Sequence, residues 1–179
     1  MQPALKAVRR ITRAIYQLLQ LGGAGIIARH ESTQNLLLAG IAEGGVGLAE
    51  RLAFRVGKGL ECEVPAGVID VSFHRDDIGT NPIPKVGTPS TLTSGVEGST
   101  CILVDDVIFS GRTIRAALNE LFDQGRPACV ELAVLVDRGH RRLPIAVDYA
   151  GLVLETQLDQ IVEAYISAQT SAQDRVTIS

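Results

Sequence analysis

Cysteine is scarce in this chain: Cys62, Cys101 and Cys129 are the only three in 179 residues. None stands at metal-ligand spacing from another, which leaves no zinc or cluster motif. Cys101 and Cys129 open or precede apolar runs and read as core thiols of a reducing compartment. An excess of basic charge is missing too. The net charge is −3, so no global positive field draws RNA or an anionic membrane, and nucleic-acid contact would need a local patch. No apolar run reaches membrane-spanning length, and the first 30 residues show no signal-peptide pattern. The expectation is a cytoplasmic protein without a membrane partner. Two nucleotide signatures are absent as well: the Gly-Lys-Ser/Thr element of a Walker P-loop, and a Gly-x-Gly-x-x-Gly after a strand. There is no internal repeat, low-complexity tract or heptad pattern.

What is present is an apolar chain, 46% hydrophobic, of a length suited to one α/β domain over residues 1–179. Its most informative stretch runs from Cys101 to Ile114. Cys101 to Val104 is β-prone and continuously apolar, as a strand buried on both faces reads. Two adjacent acids, Asp105 and Asp106, follow. After Arg112 the period changes: Ile114, Ala117, Leu118 and Leu121 recur at helical spacing, and Gly125 sits where the helix would end. The acids thus lie at the carboxyl end of a strand, and Ser110-Gly111-Arg112-Thr113 at the amino end of a helix, where α/β sheets bind ligands. The first helical turn favours an anion, Gly111 allows close backbone approach, and Ser110 and Thr113 offer hydroxyl donors. Ionised carboxylates only accept hydrogen bonds, so Asp105 and Asp106 suit sugar hydroxyls or a bound Mg²⁺.

The remaining elements fit the same class. Residues 4 to 21 form an amphipathic helix with Leu5, Val8, Ile11, Ile15, Leu18 and Leu19 on one face, ended by Gly22-Gly23. Leu36 to Ile41 reads as a buried strand, Ala42 to Gly47 as a glycine-rich turn, and Leu48 to Val56 as a short helix. A strand is expected over Gly67 to Phe73, another over Val130 to Val136, and a last one over Val147 to Leu154 near the sheet edge. Between Arg75 and Ser99, three prolines (Pro82, Pro84 and Pro89) and four glycines break the pattern. That length of loop suits a mobile hood over a reacting centre, or a β-hairpin arm. The alternation gives a mostly parallel twisted sheet flanked by helices.

The Cys101–Ile114 stretch resembles the phosphoribosyl-diphosphate (PRPP) binding motif of type I phosphoribosyltransferases. Leu132 to Ile145, with Asp137-Arg138-Gly139-His140, and Asp70 to Asp77 are similar in order and spacing to a narrower family. That family is the bifunctional pyrimidine operon attenuation regulators and uracil phosphoribosyltransferases, and the resemblance covers roughly residues 5 to 151. It implies a type I phosphoribosyltransferase fold and transfer of phosphoribosyl from PRPP to uracil, giving UMP and diphosphate. It also implies nucleotide-dependent binding to a pyrimidine leader mRNA, in a homodimer or higher homo-oligomer. Asp105 and Asp106 would hold the ribose hydroxyls. Val107, Ile108, Phe109, Ser110, Gly111, Arg112 and Thr113 would wrap the 5′-phosphate. Glu43, Gly44 and Gly45 would face the diphosphate, with Arg75, Asp76 and Asp77 covering that side. Uracil would lie near Asp137 and Arg138, and Mg²⁺ would come with PRPP rather than on direct protein ligands. Arg9, Arg13, His140, Arg141 and Arg142 are the RNA-contact candidates, and a solvated surface fits them too. His30 and His74 are expected to be structural.

Three positions depart from the family pattern. Glu43-Gly44-Gly45 stands where Thr-Arg-Gly is common, placing a carboxylate where an anion clamp is expected. Tyr16 takes the place of a histidine in the first helix, and Leu152 to Thr156 differs from Lys-x-x-Pro-Thr-Ser. Two alternatives therefore stay open: a catalytically weak nucleotide-sensing RNA-binding regulator, and a purine phosphoribosyltransferase.

Overall fold

The structure, a computed structural model, describes residues 15, 17–72, 90–92, 95–166 and 174–179. A π-helical turn at Leu18–Gly22 leads into α1 (Gly23–His30). Then come β1 (Leu36–Ile41), α2 (Ala42–Leu60), β2 (Ala66–Ile69), β3 (Thr100–Ile108), α3 (Arg112–Gln124), β4 (Cys129–Asp137) and β5 (Tyr149–Val153). A hairpin of β6 (Val162–Tyr165) and β7 (Arg175–Ile178) closes the chain.

Five strands form one sheet in the order β2-β1-β3-β4-β5, and every pairing within it is parallel. Parallel strands are buried on both faces, and the continuous apolar runs show it: β1 is buried at all six positions. Alternate residues feed two cores. Leu36, Leu38, Ile102 and Val104 pack with Ile26 of α1 and with Leu48, Leu52 and Val56 of α2. Leu37, Ala39, Leu103 and Val134 pack on the other face with Ile114, Ala117 and Leu121 of α3. Helices thus cover both faces, as the alternation of elements implied. The hairpin adds Val162 and Val176 to the first core, and Arg51 of α2 pairs with Asp174 at 2.7 Å.

Four expectations need correction, and one element was not anticipated. The Gly22-Gly23 pair does not end the first helix: Gly22 (φ −62°) and Gly23 (φ −59°) are helical, and the chain stays helical to His30. Close packing goes with the glycines there, since a Cβ on Gly22 would fall 3.0 Å from Leu18 Cδ1 and one on Gly23 would fall 3.3 Å from Arg55 Cγ. Likewise Ala42 to Gly47 is not a turn. It is the start of α2, which runs unbroken to Leu60. The second strand, expected over Gly67 to Phe73, is shorter and ends at Ile69. Cys129 is exposed because it is the first residue of β4, at the rim of the sheet, whereas Cys101 is buried and its thiol is pushed up to about 12 by that burial. Lastly, the 156–179 region contributes a hairpin that no periodicity had suggested.

Most of residues 4 to 21, with Arg9, Arg13 and Tyr16, lies outside the described residues, as do Phe73, His74, Arg75, Asp76 and Asp77. Of the 75–99 segment, Thr91 is described as an antiparallel bridge partner of Val68, on the outer side of β2.

Candidate active site

The sheet order places a switch point between β1 and β3, because α2 leaves β1 on one face and α3 leaves β3 on the other. The crevice outside the carboxyl ends of those strands is where such sheets bind ligands. Into it β3 delivers Asp105 and Asp106. Asp105 is 5% exposed. Its Oδ1 accepts the Asp106 N–H at 2.9 Å, and Asp106 Oδ1 accepts the Val107 N–H at 2.7 Å. Among the described residues, no cation pairs with either acid. Burial pushes both carboxyls above the ordinary range. The neighbouring Asp106 charge adds to this for Asp105, whereas the Val107 amide draws Asp106 back. Two like charges this close titrate as a pair, so a hydroxyl donor or a cation is the partner they suit.

The first turn of α2 lies directly on this pair. A Cβ at Gly44 would fall 2.5 Å from Asp106 Cγ, and one at Gly45 would fall 2.1 Å from the Val104 carbonyl oxygen. Glycine is required at 45 because the obstacle is strand backbone. At 44 the obstacle is a carboxylate that a larger residue would displace. Glu43, Gly44 and Gly45 are therefore brought beside the acids, in helical backbone rather than in an open loop.

On the other side of the acids, the chain turns through Phe109, Ser110 and Gly111 into α3. Gly111 has φ +88° and caps the helix, a left-handed angle that favours glycine. A Cβ there would also meet Ile145 Cδ1 at 3.1 Å. Arg112 and Thr113 are exposed in the first turn of α3, and Ser110 Oγ lies 3.4 Å from the Arg112 nitrogen. Val107, Ile108 and this turn thus form one continuous rim next to the acids.

β4 ends one strand further along. Asp137 and Arg138 reach the same edge, but their side chains are engaged within the fold. Asp137 accepts from the Gly139 N–H at 2.9 Å and from Arg141 at 2.8 Å. The Arg138 guanidinium lies 4.3 Å from the centre of the Phe109 ring and donates to Thr156 Oγ1 and the Gln157 carbonyl. His140, the opposite neighbour of Phe109, bonds the Thr156 carbonyl through Nε2 at 2.7 Å. Of the basic trio, His140 and Arg142 are exposed and Arg141 is half-buried. Thr156 and Gln157 were missed from the sequence. Their signal was positional, since they follow β5 and so reach the edge where β4 ends.

No group of three or more His, Cys, Asp or Glu gathers among the described residues. Among the described residues, Asp105 and Asp106 are the adjacent carboxylates that could approach a magnesium ion here, which fits an ion whose other ligands are substrate oxygens and water.

Phosphoribosyl transfer is the class that this fold and site define, and the phosphoribosyl transferase domain model matches residues 4–165. Solved hypoxanthine phosphoribosyltransferases share the fold. One from Staphylococcus aureus superposes with TM-score 0.62 at 17% identity over 82% of this chain and 77% of its own. Another from Trypanosoma cruzi gives 0.60 at 18% identity over 86% and 81%. Sequence relatives are nearer. The Bifunctional protein PyrR of Pelotomaculum thermopropionicum is 44% identical over 86% of this chain and 84% of its own. That of Brevibacillus brevis is 42% identical over 86% and 85%, and that of Corynebacterium efficiens 40% over 96% and 86%. The chain belongs to the Bifunctional protein PyrR family within the phosphoribosyltransferases.

Proposed function

We propose that the protein transfers the phosphoribosyl group of PRPP to uracil, releasing diphosphate and forming UMP, and that the same nucleotide site controls binding to a pyrimidine leader mRNA. The observation that carries this reading is the pair of buried Asp105 and half-buried Asp106 set between two helix starts at the switch point. Ribose 2′- and 3′-hydroxyls donate to the two carboxylates. The 5′-phosphate takes the amides and hydroxyls of Ile108 to Thr113. Diphosphate leaves toward Glu43, Gly44 and Gly45, with Arg75 as its proposed cationic partner. Magnesium, when bound with PRPP, offsets charge on the departing diphosphate. Uracil lies beside the end of β4, over Asp137 and Arg138, whose side chains shape the wall. The chain's own work is to orient the ribose, hold the phosphate and exclude water from the developing positive charge.

The compartment that suits this is the cytoplasm, where a thiol such as Cys101 stays reduced. No helix among the described residues is long and apolar enough to cross a membrane. RNA contact falls to Arg142 and the exposed His140 with Arg9 and Arg13, because Arg141 is bonded internally. A homo-oligomer fits the apolar side chains left outside, Phe54 and Leu21 among them.

A second reading is a nucleotide sensor with weak turnover. It is favoured by the helical start of α2 packed on Asp106, where an arginine would displace the acid. One assay separates the readings: UMP and diphosphate formation from uracil and PRPP with Mg²⁺, with hypoxanthine as competitor. Turnover with uracil is expected. Absence of turnover with any pyrimidine base, beside UMP-dependent and salt-sensitive RNA binding, selects the sensor. Turnover only with a purine base overturns both.

A further inference from the structure

The segment after β4 turns back on itself. Gly139 and His140 take left-handed angles, φ +73° and +59°. For a non-glycine residue that conformation is uncommon and is held by its surroundings, here by the His140–Thr156 bond. The reversal returns Arg141 to the sheet edge. One of its terminal nitrogens donates to Asp137 Oδ2 at 2.8 Å, and the other to the Phe109 carbonyl at 3.0 Å and the Gly139 carbonyl at 3.3 Å. Its Nε is buried without a partner. A buried donor left unmatched is unfavourable, so the fold sacrifices that bond to keep both terminal nitrogens where they are.

Three successive carbonyls of the turn are drawn toward this segment. Arg138 N–H donates to the Ile108 carbonyl at 3.2 Å and Arg142 N–H to the Ser110 carbonyl at 3.0 Å. Between them, the Phe109 carbonyl takes Arg141. In a trans peptide the C=O and the following N–H point in opposite directions, and no peptide among the described residues is cis. The N–H groups of Phe109, Ser110 and Gly111 therefore face away from residues 138–142. Successive amides aimed one way form an anion-binding concavity. Backbone amides, which almost any residue can supply, hold the outer two carbonyls. The middle one depends on a side chain.

We infer that Arg141 is a positioning residue for the transfer: it holds the Phe109 peptide so that the Ser110 N–H faces the 5′-phosphate, and ties that peptide to Asp137 at the base side. The inference rests on reading Ile108 to Thr113 as the 5′-phosphate turn, and it gives Arg141 an internal task instead of an RNA contact. Lysine cannot replace it, because one ammonium does not span a carboxylate and a carbonyl with the reach of a planar fork.

The test compares Arg141→Met and Arg141→Lys with the wild type in calorimetric titrations of UMP and uridine, beside thermal midpoints. Uridine lacks the phosphate, so a phosphate-side defect separates the two ligands where general loosening does not. The expected result is a loss in UMP affinity of about tenfold in Arg141→Met, the size of one charge-assisted hydrogen bond, with uridine affinity within about twofold. Arg141→Lys is expected to lose UMP affinity in the same direction, and it carries the test if Arg141→Met does not fold. Equal losses for both ligands, or unchanged UMP affinity with weakened RNA binding, overturn the assignment. Wild-type protein that binds neither UMP nor PRPP overturns the reading of the turn itself, and the assignment with it.

Discussion

The two ends of one sheet bury carboxylates in opposite ways. At the amino edge Glu131, at the start of β4, is 3% exposed. It is met by Arg29 Nε at 3.0 Å, His30 Nε2 at 2.9 Å and the Tyr149 hydroxyl at 2.7 Å. Arg29 also reaches Asp148 at 3.5 Å, and His30 Nδ1 bonds Thr33. Burial alone would raise the Glu131 carboxyl, but the His30 and Tyr149 hydrogen bonds and the His30 and Arg29 charges hold it below the ordinary range. At the carboxyl edge Asp105 and Asp106 meet each other and two backbone amides, and both are held above that range. A carboxylate answered by a guanidinium, an imidazole and a phenol joins α1 to β4 and β5. A like-charged pair answered only by amides opposes folding and is accounted for by a ligand.

The contrast breaks most visibly at the acid pair. Asp105→Asn with Asp106→Asn removes two charge-assisted hydrogen bonds to the ribose, each worth about 1.5–3 kcal/mol. Together they predict a fall in kcat/KM for PRPP of roughly a thousandfold. The thermal midpoint should hold or rise, since buried like charges have been neutralised. Loss of activity together with unfolding would show that the pair serves the fold after all. At the other edge the effects exchange. Glu131→Ala leaves the His30 ring and the Tyr149 hydroxyl buried without their acceptor, a loss of about 3 kcal/mol. For a chain of this length that lowers the midpoint by roughly 10 °C. Turnover per folded molecule should stay within about twofold, because the site lies at the opposite edge of the sheet. Calorimetry on both variants checks the exchange.

The sequence spoke plainly about one edge and little about the other. Cys101 to Val104, the two acids and the helical spacing from Ile114 to Leu121 are contiguous, so local patterning predicted β3, α3 and the rim between them. The Glu131 cluster joins residues 101 positions apart, His30 and Glu131, and no local period reports such a pairing. Gly44, Gly45 and Gly47 misled for another reason. Glycine in sequence suggests a turn, but here it serves close packing: Gly45 sits against the Val104 carbonyl, and contact with the sheet overrides helix propensity. Gly22 is a milder case, tight only against the Leu18 side chain. The basic trio after β4 looked like one surface patch, and only its place in the fold separates half-buried, bonded Arg141 from exposed His140 and Arg142.

Acidification gives the smallest effect and the sharpest contrast. The Asp105 and Asp106 carboxyls titrate higher in the folded chain than in the unfolded one. Their contribution to stability is therefore fully present below the ordinary carboxylate range and is lost as pH rises through their folded values. Glu131 is shifted the other way, so its contribution is present above its unfolded value and is lost only as pH falls through a folded value below that range. Lowering pH from neutral toward 5 should stabilise wild-type protein relative to the Asp105→Asn, Asp106→Asn variant, because only the wild type can take up a proton at the pair. Over the same interval wild-type affinity for PRPP should fall, since the ribose hydroxyls need ionised acceptors. Denaturant titrations of both proteins at several pH values read the first effect, and PRPP binding reads the second. Parallel stability curves for the two proteins would mean that the acid pair stays ionised throughout, and the contrast between the two edges would then rest on Glu131 alone.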